Sequence, residues 1–257
     1  MSASDPMYVS ELYRYPVKGL APQKLDHVEL EPGKTIPFDR AWAIENGRGR
    51  FDPADPQTVP KINFLMLMRN ERLASLDIEF NEKDQTLTLL RDGRSVVKGA
   101  LNTPLGRQLI EQFMGSFMEQ DLRGAPHIVH AEGHSFSDVS EKCLHIVNLA
   151  SIRELERALN KEIDPLRFRA NIYIETESPW VEFDWIDKHV SIGGANLEVF
   201  ARTERCAATN VDPETAERDM AIPAMLMRTY DHMDFGIYAK VTQGGSVRTG
   251  DTVSAIA

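Results

Sequence analysis

One thiol stands out in the chain. Cys206 lies in Arg202-Thr-Glu-Arg-Cys-Ala-Ala-Thr-Asn-Val-Asp-Pro-Glu-Thr215, directly after the strand-like run Asn196-Leu-Glu-Val-Phe-Ala201. Arg202 and Arg205 flank it, and neighbouring cations favour thiolate over thiol. The thiolate is the form that attacks electrophiles or binds a soft metal. The Val211-Asp-Pro213 turn would present it at the end of a strand, where sites are often built. A lone cysteine also has a plain reading as a small buried hydrophobe. Other polar groups interrupt the pattern at loop positions. Lys18-Gly19 follows Tyr15-Pro-Val17, Asp39-Arg40 precedes Trp42, and Arg167-Phe-Arg169-Ala-Asn171 precedes a strand. Separated cations with a glycine loop could hold a phosphate or another anion. Taken singly, each charge reads as a solvated surface residue; their value is joint.

The chain has 257 residues, 42% hydrophobic and 26% charged, enough for one large domain or two small ones. A net charge of −10 speaks against nucleic acid or an anionic membrane as partner. Cys143 and Cys206 are the two cysteines, too few for a disulfide scaffold and without paired zinc spacing. Cys143 opens the apolar run Cys-Leu-His-Ile-Val-Asn148 and reads as a buried strand thiol. Met1-Ser-Ala-Ser-Asp-Pro6 has neither the basic nor the apolar region of a signal peptide, and no apolar run approaches membrane-spanning length. Together with reduced thiols this predicts a cytoplasmic protein.

The elements that must position these residues are mostly strands. Tyr8–Tyr15, His27–Leu30, Arg40–Ile44, Phe64–Met68, Ser75–Phe80, Thr86–Leu90 and Ser95–Lys98 read as strands of the first half. A helix over 103–118 follows, with Thr103 as cap, Pro104 at the first position, and Leu105, Leu109, Phe113 and Phe117 as its core stripe. His127, His130 and His134 read as a loop with histidines rather than a metal cluster. In the second half, Ser151-Ile-Arg-Glu154 reads as a capping box opening a helix with Ile152, Leu155 and Leu159 inward. Asn171–Glu175, a hairpin of His189–Ile192 and Asn196–Phe200, a short helix begun by Pro223, Phe235–Val241 and Asp251–Ile256 complete the pattern. Trp180 and Trp185 read as packing residues. Gly47-Arg-Gly-Arg50 does not open a helix as phosphate cradles do, so it reads as a hairpin or mouth loop from which Arg48 and Arg50 could face an anion. The expected fold is mainly β with flanking helices (α+β), with a soft boundary around Gly124-Ala-Pro126.

The ordered set of segments resembles the MOSC family, specifically its two-part, amidoxime-reducing members. The likeness rests on Val9–Lys18, Phe38–Trp42, Phe136–Ser140, the helix from Ser151, Arg167–Asn171, Trp180–Trp185, Ile192-Gly193, Cys206–Pro213, Phe235-Gly236 and Gly250-Asp251. It implies an N-terminal MOSC β-barrel region over 7–122 and a β-barrel MOSC domain over 126–256. It also implies a molybdenum cofactor, a pterin dithiolene whose phosphate is held by basic residues. Cys206 would ligate molybdenum. Lys18, with Gly19, and Arg40 would contact the phosphate, and Arg169 and Asn171 would bind the pterin. Thr209 and Asp212 would shape the loop around the metal, with Asp212 counted beside Cys206 among the catalytic residues. Three positions depart from the family pattern. Gly19 stands for a serine, Ala170 for a proline, which should loosen the loop, and Asn210 for a threonine.

The function this implies is a molybdenum-dependent oxidoreductase that reduces small N-hydroxylated compounds. With no cysteine cluster and no flavin or nicotinamide fingerprint, electrons would come from a separate protein of ferredoxin, flavoprotein or cytochrome type. The alternative is a non-catalytic carrier or delivery module for the cofactor or its sulfur.

Overall fold

The computed structural model describes residues 7–47, 49–57 and 59–256; Arg48, of the proposed mouth loop, lies outside them. Seven strands come first: β1 (Tyr8–Arg14), β2 (Gln23–Leu25), β3 (His27–Leu30), β4 (Ala43–Asn46), β5 (Asp77–Asn81), β6 (Thr86–Arg91) and β7 (Arg94–Ala100). Then follow α1 (Pro104–Phe117), β8 (Pro126–Val129), β9 (Leu144–Asn148), α2 (Leu149–Leu159), β10 (Ile172–Glu175), β11 (His189–Ile192) and β12 (Ala195–Glu204). The chain closes with α3 (Ile222–Tyr230), β13 (Asp234–Gln243), β14 (Gly245–Arg248) and β15 (Val253–Ile256). The fold is mainly β with flanking helices, as the spacing of strands and turns implies.

Eight strands form the main sheet, in the order β15-β11-β12-β13-β9-β10-β1-β2. It is antiparallel except for β9 beside β10. The first strands of the chain therefore build the sheet of its second half, and β3 also pairs with β14. One face of the sheet closes over Val9, Leu12, Ile146, Ile172, Val199 and Ile237. The other packs α2 and α3 through Tyr173, Leu155, Phe168, Leu226 and Phe235. A separate core under β5-β6-β7 and α1 holds Trp42, Leu65, Leu87, Leu89 and Ile110. Each such side chain contributes about 1.5–3 kcal/mol when fully buried, so these three cores fix the frame on which the loops sit.

Several local expectations change. Thr103 caps α1 as expected, accepting from the Gly106 amide at 3.1 Å. The buried stripe, however, is Gly106, Ile110, Met114 and Phe117, while Leu105 is 67% exposed. The cause is Gly106, where a Cβ would lie 2.1 Å from the Ala100 carbonyl oxygen. The helix docks its glycine against β7, which rotates the contact face by one residue. Ser151 does not cap α2. Asn148 does, accepting from Ala150 N at 3.0 Å, while the buried Ser151 hydroxyl donates to Glu182. Phe64–Met68 is not a strand. After Leu65 N bonds Ile44 O, the Met66 carbonyl accepts from Arg69 and Asn70 in a turn.

Gly236 joins the frame to the site. Its φ is +81°, and a Cβ would sit 2.5 Å from Ile146 O and 2.8 Å from His145 Nε2. Gly236→Ala should therefore lower stability by about 1–3 kcal/mol, read by denaturant unfolding. An unchanged unfolding midpoint would contradict this packing.

Candidate functional site

Lys18, Gly19, Arg40, Arg169, Asn171 and Cys206 line one pocket between the front loops and the main sheet. Lys61, Asp138, Cys143, His145, Arg205 and Tyr238 join them. Five cations thus face two carboxylates, Asp39 and Asp138. Its cavity measures about 120 Å³, below the several hundred Å³ usual for organic ligands. A larger ligand would extend from it towards the mouth.

Tyr15, fully buried, is the platform of this cluster. The guanidiniums of Arg40 and Arg169 lie over its ring at 4.6 and 4.3 Å from the centroid. Both arginines have positive φ, +52° and +54°. Arg40 is held by Asp39 at 2.5 Å and donates to the Arg169 carbonyl at 3.0 Å. Burial disfavours its charge, but Asp39 and Tyr15 outweigh that and raise its pKa. Arg169 has no carboxylate of its own. Its Nη2 donates to Leu20 O at 2.8 Å, and burial lowers its pKa to about 10. At neutral pH it is still a cation.

Lys18 donates to Phe136 O at 2.8 Å and to Asp138 at 2.5 Å, and Lys61 reaches the other oxygen of Asp138 at 3.2 Å. Burial works against the Asp138 charge, yet the two lysines hold its pKa down at about 2. Beside Cys206, Arg205 donates to Phe168 O at 2.7 Å and lies 3.2 Å from His145 Nε2. A guanidinium can only donate, so Nε2 accepts and the ring is neutral. Burial, then Arg205 and Arg40, hold His145 well below its ordinary pKa. The Arg205 Nε is buried without a partner.

Gly19 explains one departure from the family pattern. Its φ is +85°, and a Cβ would lie 2.8 Å from Leu65 O. Ala170 does not loosen its loop. Its amide donates to the Tyr173 hydroxyl at 3.2 Å, a bond proline cannot make, and that hydroxyl donates to Pro165 O. Asn171 is 1% exposed and bonds chiefly to backbone. Its Oδ1 accepts from His145 N at 3.1 Å and its Nδ2 donates to Tyr13 O at 3.2 Å, clamping β1 to the start of β9. That leaves little of it to read a pterin edge.

Thr209 is also buried, donating from its hydroxyl to Cys206 O at 2.9 Å, which shapes the loop without entering the pocket. Asp212 is corrected as a catalytic residue. It does not line the pocket; its carboxylate binds the buried Arg167 at 2.5 Å and the amides of Glu214 and Thr215. Arg202 turns away to stack on Phe183 at 4.2 Å, so Arg205 and Lys61 are the cations near Cys206. Cys143 does reach the pocket wall, but burial pushes its thiol up to about 12. The histidines at 127, 130 and 134 disperse. His127 lies in β8, His130 stacks on Trp42, and His134 packs on Phe51 and Phe136. Trp180 and Trp185 pack, Trp185 in the sheet core and Trp180 against Tyr230 and Phe235.

Lys61, His145 and Tyr238 were not singled out from sequence. His145 carried a signal, a polar residue inside a wholly buried strand; Lys61 follows Pro60 in a stretch without periodicity. Asp138 lies within Phe136–Ser140, a segment of the resemblance, but had no assigned role.

The MOSC domain model matches residues 124–254, and the MOSC N-terminal beta barrel domain model matches 6–124. The chain belongs to the MOSC family. It is 24% identical over 285 residues to mitochondrial amidoxime-reducing component 1 of Mus musculus, covering 95% of this chain and 81% of that protein. The human counterpart is 25% identical over 288 residues, with 95% and 82% covered. Molybdenum cofactor sulfurase of Drosophila willistoni is 26% identical over 244 residues, which is 89% of this chain but 30% of the sulfurase. The chain thus spans under a third of the sulfurases and about four-fifths of these two amidoxime-reducing component 1 proteins.

The geometry separates the two thiols and places Asp212 outside the pocket lining. Maleimide at pH 7.5 should label Cys206, half-buried at the pocket, and leave Cys143 until unfolding. Equal labelling rates would contradict the placement. Asp212→Asn should cost about 1–3 kcal/mol of stability through Arg167, with the Cys206 labelling rate unchanged.

Proposed function

We propose that this pocket holds a pterin-type molybdenum cofactor, and that the chain reduces N-hydroxylated compounds with electrons from a separate donor protein. The observation that carries the reading is the excess of half-buried positive charge beside a thiol. Lys18, Arg40, Lys61, Arg169 and Arg205 surround a space with only Asp39 and Asp138 to balance them. Two unit charges about 5 Å apart repel by about 3 kcal/mol at an effective dielectric of 20. Such a cluster therefore favours an anionic ligand. The unpartnered Arg205 Nε is one donor in want of an acceptor. A thiolate at Cys206 suits a soft metal, and arginine forks suit phosphate. The donor set fits the cofactor that the resemblance implies.

In this reading Cys206 would hold the metal, and Lys18, Arg40 and Arg169 would hold the phosphate. When bound, the cofactor supplies two-electron redox chemistry at the metal. The chain's own residues orient and supply protons. Asn171 and Thr209 fix the strand starts and the loop that carry the binding groups. Reduction of N–OH to N–H and water takes up two electrons and two protons. Lys61 Nζ, held protonated by Asp138 against the cost of burial, is a proton-bearing group at the mouth. Two cysteines cannot hold an iron–sulfur cluster, so the reading requires an outside electron donor. Location in the cytoplasm is part of the same proposal; among the described residues no helix is long and apolar enough to cross a membrane.

The match to sulfurases favours one other reading, a carrier that takes sulfur on Cys206 as a persulfide. The experiment separates the two. Protein from a cofactor-making host should reduce benzamidoxime with reduced viologen as donor, and Cys206→Ser should lose more than about 100-fold in turnover. Turnover that survives in Cys206→Ser overturns the mechanism. Cyanide-releasable sulfur on Cys206 without any reductase activity would favour the carrier.

A further inference from the structure

A second cavity of about 480 Å³ adjoins the pocket and shares Lys18, Lys61, Ser137 and Asp138 with it. The shared residues form the boundary between the two, with Asp138 bridging both lysines. Beyond this bridge the wall is aromatic. Phe136 packs edge-on to Phe64 at 5.4 Å and to His134 at 4.7 Å between ring centroids. Phe64 and Phe136 are nearly fully buried, so they form a fixed floor. Pro56, Val59 and Pro60 add apolar lining, and Ser135, Ser137 and Ser140 polar lining.

Lys142 is the third lysine of this cavity and does not reach the pocket. Lys142 is exposed and, among the described residues, has no ion-pair partner. It extends over Gly133, whose missing Cβ would be 4.0 Å from its Nζ. Lys18, Lys61 and Lys142 line the cavity against Asp138 and Glu141. Asp138 is already shared by two lysines, and Glu141 is exposed and accepts from the Ser140 hydroxyl. In a chain of net charge −10, this leaves a cation without an ion pair on the wall of a mixed aromatic and polar cavity that adjoins the pocket.

Resting on the proposed reductase reading, we propose that this cavity is a substrate subsite selecting flat aromatic substrates with an anionic group at the end remote from the reacting N–OH. The ring would lie along the Phe64–Phe136 floor. The anion would meet Lys142, and the N–OH end would face the Lys18–Asp138–Lys61 boundary. A weakly hydrated ring against aromatic walls and one charge pair supply affinity by different means, so they can be tested separately.

The test compares benzamidoxime with 4-carboxybenzamidoxime on the holoenzyme. Wild type should show kcat/KM about 2- to 5-fold higher for the carboxylate, the range for an exposed charge pair. The ratio should fall towards one in Lys142→Met, drop below one in Lys142→Glu, and shrink with added salt. Calorimetric or NMR binding of the same two compounds reads the subsite without turnover. Binding that prefers the carboxylate, lost in Lys142→Met, supports the subsite even if neither compound is reduced, in which case the reductase reading fails alone. Equal kcat/KM and equal binding of both compounds by wild type would overturn the subsite. So would loss of molybdenum from Lys142→Met, which would assign Lys142 to the anionic part of the cofactor.

Discussion

Like-charge crowding in a half-dry pocket is the constraint around which this molecule is organised. Arg40, Arg169 and Arg205 come close together with lysines 18 and 61 in a chain that is acidic as a whole. Three devices make the cluster tolerable without neutralising it. Asp39 and Asp138 each take a share of the charge. The Tyr15 ring offers its negative face to two guanidiniums. Backbone carbonyls of Arg169, Leu20 and Phe168 accept from the arginines. What remains is positive charge that an anion would balance.

Holding such groups in place demands a rigid surround, and the topology provides it. Lys18, Arg40 and Lys61 come from front loops, whereas Arg169, Arg205 and Cys206 come from loops at the ends of the main sheet. β1 belongs to both parts, because it leads directly to Tyr15 yet pairs with β10. Asn171 ties it to β9 at the pocket edge. The positive φ values of Arg40 and Arg169 point the same way. Each costs about 1 kcal/mol or more for a residue with a side chain, and each is offset by the packing of its guanidinium on Tyr15.

The strand order of elements, the hairpins and the three helices were legible because period and turn chemistry are local. Tyr8–Arg14, β5-β6 and β11-β12 lie close to where alternation and glycine turns put them. What local pattern could not show was the partner surface. The stripe of α1 shifted because Gly106 lets β7 approach, and Leu105 and Leu109 lost their place in the core. Ser151 looked like a cap and became a buried donor to Glu182, a residue 31 positions away. The site behaved likewise. Lys18, Arg40, Arg169, Asn171 and Cys206 were named from family likeness and do share a pocket. Asp212 was misplaced because its partner, Arg167, is visible only in three dimensions. Lys61 and His145 escaped notice because their roles come from neighbours distant in sequence.

The proposal that the cationic pocket and the Cys206 thiol together hold a molybdenum cofactor has a direct chemical readout. Metal and pterin analysis of the chain purified from a host that makes the cofactor tests it most directly. Molybdenum and pterin are expected near one per chain in wild type, with molybdenum lost in Cys206→Ser and pterin reduced in Arg169→Met. A wild-type chain free of both, from cells that load a control molybdenum protein, would contradict it.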